Sequence, residues 1–170
     1  SEFDTLEEYK KDIRKKLEEE NARRAESETE NSIIEAVSAS SEVDIPKVMI
    51  DSQIDSMVQD LNYRLMYQGM KIEDYLKYTK TTMEKLKESY REQAEKAVKT
   101  RLVIEEIIKK ENIAATKEEK DQKISDMAKK SNKSVEEFTK EAGERETAYI
   151  ENEIIMDKLF KLLKDNAVIE

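Results

Sequence analysis

Only three residues in this 170-residue sequence, Pro46, Gly69 and Gly143, are of the two types that break helices. Between them Lys, Glu, Ala, Leu and Ile recur at spacings of three and four, the pattern of helices with one apolar face. The fold class this dictates is all-α. Charged residues make up 42% of the chain and apolar ones 37%, a lean supply for a compact globule, so the core is expected to be thin or divided.

The same composition removes whole classes of function. Net charge is -9, with acids interleaved among the bases, whereas a nucleic-acid footprint needs clustered, uncompensated Lys and Arg. No apolar run approaches the length of a membrane span, and residues 1–20 are not a secretory signal. The chain reads as soluble. With no cysteine and no histidine, disulfides, thiolate chemistry, the usual zinc ligands and the commonest general base are all missing. Carboxylates remain, but no D-x-[DN]-x-[DN]-G loop arranges them for calcium. No metal, cofactor or catalytic residue is assigned.

Thr5 and Glu8 have the spacing of a capping box and start a first helix at Asp4 or Thr5. Nothing stops it before the serine cluster at 38–41, giving roughly 50 Å of helix at 1.5 Å per residue. Leu6, Tyr9, Ile13 and Leu17 form one stripe, the segment NARRAESETE is polar, and Ile33, Ile34 and Val37 resume the stripe in another orientation. This reads as a strut between two packing regions. A second helix is expected from Pro46, in its first turn, with Asp44 as cap and Gly69 as stop. Ile50, Ile54, Met57, Val58, Leu61 and Leu65 make its inner face. Its outer face, Met49, Ser52, Ser56, Gln59, Tyr63, Tyr67 and Met70, carries no charge.

A short helix at Ile72 to Tyr78 follows. A longer one then carries Met83, Leu86, Tyr90, Ala94, Ala97, Ile104 and Ile108 at near-heptad spacing, with its widest apolar end at 102–108 and Arg101 ion-paired to a facing helix or snorkelling. Thr116 with Glu119 and Ser134 with Glu137 open two sparse helices. The last, from Glu144 to Asp165, places Tyr149, Met156, Leu159, Phe160 and Leu163 on one side, flanked by Ile155 and Leu162. Charge runs such as KEEKDQK are solvated faces with i,i+4 pairs. The expected architecture is one elongated domain over 1–170, with long antiparallel arms forming a cradle: a strut at 1–41, a first arm at 42–112, and a second arm with the final helix at 113–170.

One stretch stands out. LNYRLMYQGMKIEDYLKY, residues 61–78, holds four of the seven tyrosines and two of the seven methionines. Its Tyr and Met side chains either fill a second layer of core or form a surface that touches other molecules. Met re-packs against many shapes and Tyr offers apolar area with a polar tip, which suits the second reading.

The order of TLEEYKKDIRKKLEEE, NSIIEAVSASSEVDIPKVMIDSQIDSMVQ, YQGMKIEDYLKYT, KSVEEF and ENEIIMDKLFKLL resembles the C-terminal domain of the trigger factor family. The IIEAV…EVDIP…MI…QID and QG-x-x-x-E-x-Y-L patterns are the specific part. The resemblance implies a cytoplasmic, two-armed chaperone domain that holds unfolded or nascent polypeptide without ATP. The client-binding residues expected on this reading are Met49, Tyr63, Met66, Tyr67, Met70, Tyr75 and Tyr78, with a second set at Met127, Phe138, Tyr149, Met156 and Phe160. Neither a ribosome-binding signature nor an isomerase-type β sequence occurs here, so ribosome contact is expected only through a domain not in this chain, and no isomerase activity is carried over. The chain opens at SEFDTLEEY as a fragment would. An empty apolar cradle also invites self-association. The alternatives are a helical adaptor with one dedicated partner and a periplasmic chaperone of the SurA type.

Overall fold

The computed structural model describes residues 5–167, residue 144 by its backbone alone. They form six helices: α1 (Leu6–Ser40), α2 (Lys47–Tyr67), α3 (Ile72–Tyr78), α4 (Met83–Lys110), α5 (Lys117–Lys130) and α6 (Val135–Asn166). Two units are distinguished. One comprises residues 37–109 and the other residues up to 36 together with those from 110 onward.

Local chemistry accounts for the boundaries. The Thr5 N–H donates to Glu8 Oε2 at 3.2 Å and the Glu8 N–H to Thr5 Oγ1 at 3.2 Å, the reciprocal box that starts α1. Asp4, the other expected start, lies outside the described residues. At the far end the hydroxyls of Ser40 and Ser41 both donate to the Val37 carbonyl, at 3.0 and 2.7 Å, closing the helix where the serine cluster begins. Gly69, at φ +74°, ends α2 as expected. Its N–H donates to the Met66 carbonyl, and that of Met70 to the Leu65 carbonyl, a Schellman stop.

The start of α2 differs from the expectation. Pro46 precedes the helix as its N-cap residue, with φ -58° and ψ 132°, and no side chain caps the end, so Asp44 has no such role. The residue before a proline is held out of the helical region, which keeps the chain extended through Ile45 and leaves Asp44 too far back to reach the first free N–H groups.

In the unit spanning 37–109, α2 and α4 run antiparallel. Lys87 pairs with Asp55 at 2.7 Å and Arg91 with Asp51 at 3.7 Å, so falling numbers on one helix meet rising numbers on the other. Ile54 and Leu65 of α2 and Leu86, Ala94, Val98 and Val103 of α4 are buried. The expected α2 inner face is thus inward, whereas on α4 the stripe passes through Val98, fully buried, and not through Ala97, which is exposed. Alanine fits either side of a helix boundary, so spacing alone chose the wrong neighbour. Burial is deepest at Ala94 and Val98, and the 102–108 end is mostly half-buried. Arg101 pairs within its own helix with Glu105 at 3.9 Å.

In the other unit α6 packs on α5, with Ala128, Ile150, Ile154 and Leu159 buried. The expected α6 stripe holds at Leu159, wholly buried, and in part at Met156, Phe160 and Leu163, half-buried, but not at Tyr149, which is exposed; Ile150 and Ile154, which stand about 100–140° round the helix from Tyr149, are buried as well. Isoleucine has no polar atom to satisfy, while a buried tyrosine must find a partner for its hydroxyl. Gly143 interrupts α6 with φ +64° and ψ -174°, a combination essentially confined to glycine. It separates the two helical stretches that the capping signals at Ser134 and the break at Gly143 predict.

Candidate functional site

The Schellman stop at Gly69 and the short α3 place residues 61–78 around one helix end. On the outer face of α2, Tyr63 is 59% exposed, Met66 60% and Tyr67 98%; beyond the turn Met70 is 38% exposed, and at the end of α3 Tyr78 is 84% exposed. These are surface residues, and the second-layer reading fails for them. Met49 and Tyr75 are half-buried, so they border the face more than they form it. Ser52, Ser56 and Gln59 continue the same uncharged surface along α2, and the Ser56 hydroxyl donates to the Ser52 carbonyl at 3.1 Å, turning its polarity back into the helix. The Asn62 amide lies 3.8 Å from the Met66 sulfur. What results is an exposed surface of aromatic rings and thioethers with hydroxyl tips.

The second set is different. Tyr149 is exposed, but Met127, Phe138, Met156 and Phe160 are half-buried. Phe160 lies in a hollow of about 330 Å³ whose other walls are Glu26, Glu30, Asp157, Lys161 and Lys164. Ile154 lies in a groove of about 570 Å³ edged by α5 residues Glu118, Glu119, Gln122 and Lys123. Apolar area there is narrow and fenced by charge.

Those charges are structural ties. Lys164 reaches Glu26 at 2.7 Å and Glu30 at 2.8 Å, so the polar middle of α1 is an attachment point for α6. These bonds push the Lys164 ammonium up and hold the Glu26 carboxyl below its ordinary range. Lys158 bonds Glu119 at 2.7 Å and the Ala114 carbonyl at 2.8 Å. Glu119 is pulled down by Lys158 and by the Thr116 N–H that it caps, and Glu137 likewise by the Ser134 N–H. Lys123, between Glu153 at 2.8 Å and Asp157 at 3.3 Å, is raised chiefly by its bond to Glu153. Among the described residues no group of three or more acids converges as a metal site requires, and no helix is long and apolar enough to cross a membrane.

One apolar stripe read from the sequence is not covered as expected. Leu6, Tyr9, Ile13 and Leu17, expected to pack, are exposed along the first turns of α1, and so is Val48. Amphipathic spacing marks a face that prefers to leave water but carries no information on what covers it.

Fold and face together define an all-helical domain with an open aromatic and thioether surface. The chain belongs to the family of the bacterial trigger factor protein C-terminus, whose model matches residues 5–165. It is 44% identical over 168 residues to a trigger factor of Clostridium botulinum, covering 98% of this chain and 39% of that protein. It is 45% identical over 169 residues to that of Clostridioides difficile, covering 99% and 40%. To that of Ruminiclostridium cellulolyticum it is 44% identical over 167 residues, covering 98% and 39%. The chain therefore spans about two fifths of the length of the curated relatives it matches. No solved structure matches it.

Proposed function

We propose that this chain is an ATP-independent chaperone domain of the bacterial cytoplasm that binds unfolded or nascent polypeptide through the surface formed by Tyr63, Met66, Tyr67, Met70 and Tyr78. The observation that carries this reading is the exposure of those five side chains, with Tyr63 and Tyr67 on an α2 side whose other exposed residues, Ser52, Ser56 and Gln59, are uncharged in a chain that is 42% charged. Met49 and Tyr75 border the surface. Tyr149, with the half-buried Met127, Phe138, Met156 and Phe160, forms a subsidiary contact.

Binding by such a surface is many-valued. Each apolar client side chain covered contributes about 1–3 kcal/mol before the ordering of the client is subtracted, so single contacts are weak and several together reach about micromolar affinity. Thioethers re-pack against different shapes and tyrosines add a hydroxyl for the client backbone, which gives breadth without a fixed motif. Hydrolysis of a nucleotide has no role in this scheme, and the chain acts without catalysis. Ribosome docking and prolyl isomerisation are not assigned to this chain. A second copy of the chain competes for the same surface at high concentration.

Replacing Tyr63, Met66 and Tyr67 together by serine tests the reading. Affinity for a fluorescently labelled unfolded peptide is expected to fall about tenfold or more, with the circular dichroism of the helices unchanged. Unaltered affinity, or a loss of helix along with binding, contradicts it.

A further inference from the structure

We propose that Met66 and Met70 make the client-binding surface sensitive to peroxides: oxidation of their thioethers to sulfoxides weakens its hold on unfolded polypeptide, and reduction restores it. The inference rests on the chaperone reading above and adds a regulation to it.

The chain has no cysteine, so its seven methionines are the only sulfur open to oxidation. They are not equivalent. Met66 is 60% exposed and Met70 38%, whereas the other five are half-buried. The two exposed methionines thus lie within the main surface proposed to bind client. Met66 stands beside Tyr63 and Tyr67 on α2, and Met70 follows directly after the Gly69 turn that ends the helix, its N–H donating to the Leu65 carbonyl at 2.9 Å. The Asn62 amide, 3.8 Å from the Met66 sulfur, has a weak acceptor there. A sulfoxide oxygen accepts strongly, so the same amide favours the oxidised product.

The chemistry balances with a peroxide as the only co-reactant. The thioether sulfur attacks one peroxide oxygen, an S–O bond forms as the O–O bond breaks, and the second oxygen leaves as water after taking up the proton. Sulfur loses two electrons and the peroxide gains them. The reverse step needs thiols, which this chain does not supply. A methionine sulfoxide reductase removes the oxygen as water while its own thiols become a disulfide. On the binding surface the change is one of polarity: an apolar client side chain that covers a sulfoxide strips its oxygen of water and offers no donor in return.

The test treats the whole chain with hydrogen peroxide, maps each methionine by mass spectrometry, and follows affinity for a labelled unfolded peptide. Met66 and then Met70 are expected to oxidise ahead of the other five, and peptide affinity to fall about tenfold in step with them, with helix content retained and affinity recovered on adding methionine sulfoxide reductase with thiol. A chain carrying Met66→Leu and Met70→Leu, whatever its starting affinity, is expected not to change on peroxide treatment. Oxidation spread evenly over all seven methionines, full conversion of Met66 and Met70 without loss of affinity, or a loss that accompanies unfolding overturns the proposal. An untreated chain that binds no peptide fails the chaperone reading itself and this regulation with it.

Discussion

Leu159 and Tyr67 are both large side chains on helices, and their surroundings are opposite: Leu159 is wholly buried and Tyr67 is almost wholly in water. Leu159→Ala removes methyl groups from a packed site and leaves a cavity, so it should cost about 2–5 kcal/mol of unfolding free energy. Tyr67→Ala removes nothing from the core and should stay within about 0.5 kcal/mol of the parent. Urea unfolding monitored by circular dichroism distinguishes the two. The α2 face was legible in the sequence because contrast revealed it: Tyr63 and Tyr67 share a helix side with serine and glutamine in a chain where charge is the rule. On α4 and α6 that contrast is missing. Ala97 and Val98 are both small and apolar, and Tyr149 and Ile150 are adjacent apolar-bodied residues, so rotation about the helix could not say which one the neighbouring helix covers.

Element ends were legible wherever a side chain satisfies the backbone. The boxes at Thr5, Thr116 and Ser134 open α1, α5 and α6, with carboxylates of Glu8, Glu119 and Glu137 reaching back. Three turns gave no glycine to read, because Lys80, Asn112 and Asn132 take the left-handed conformation there, at φ of 53°, 51° and 53°. Asparagine does so at little cost, while lysine is less usual in that region. The caps and ties also set a pH dependence. Glu119 and Glu137, bonded to Lys158 and to the Ser134 N–H respectively, have folded values below the unfolded ones. Their contribution is complete above the unfolded carboxylate value of about 4.3 and is lost as pH falls through the lowered folded values. Lys164 has the opposite sign: its raised value means that the tie to Glu26 and Glu30 is complete below about pH 10.4 and is lost as pH rises through the folded value. Thermal melts between pH 5 and 3 should show a falling midpoint, and Glu119→Gln with Glu137→Gln should flatten that fall. An equal slope in parent and variant would place the acid sensitivity elsewhere.

At the scale of the whole molecule, scarcity of apolar residues divides the core between two helical units. The Tyr and Met surface belongs to the unit at 37–109, while the subsidiary set belongs to the other. Each unit has a few deeply buried aliphatic residues, Ile54 and Val98 in one and Ile150 and Leu159 in the other. Tyr63, Met66, Tyr67, Met70 and Tyr78 stand on the surface of the first. The central claim is that this surface holds unfolded chains of any sequence rich in apolar residues, and it is tested most directly by aggregation. A chemically denatured protein is diluted into buffer with and without an equal concentration of this chain, in the absence of ATP, and light scattering is followed; a second, unrelated client repeats the measurement. Suppressed scattering with both clients is the predicted result. Scattering that rises undiminished with both would contradict the account.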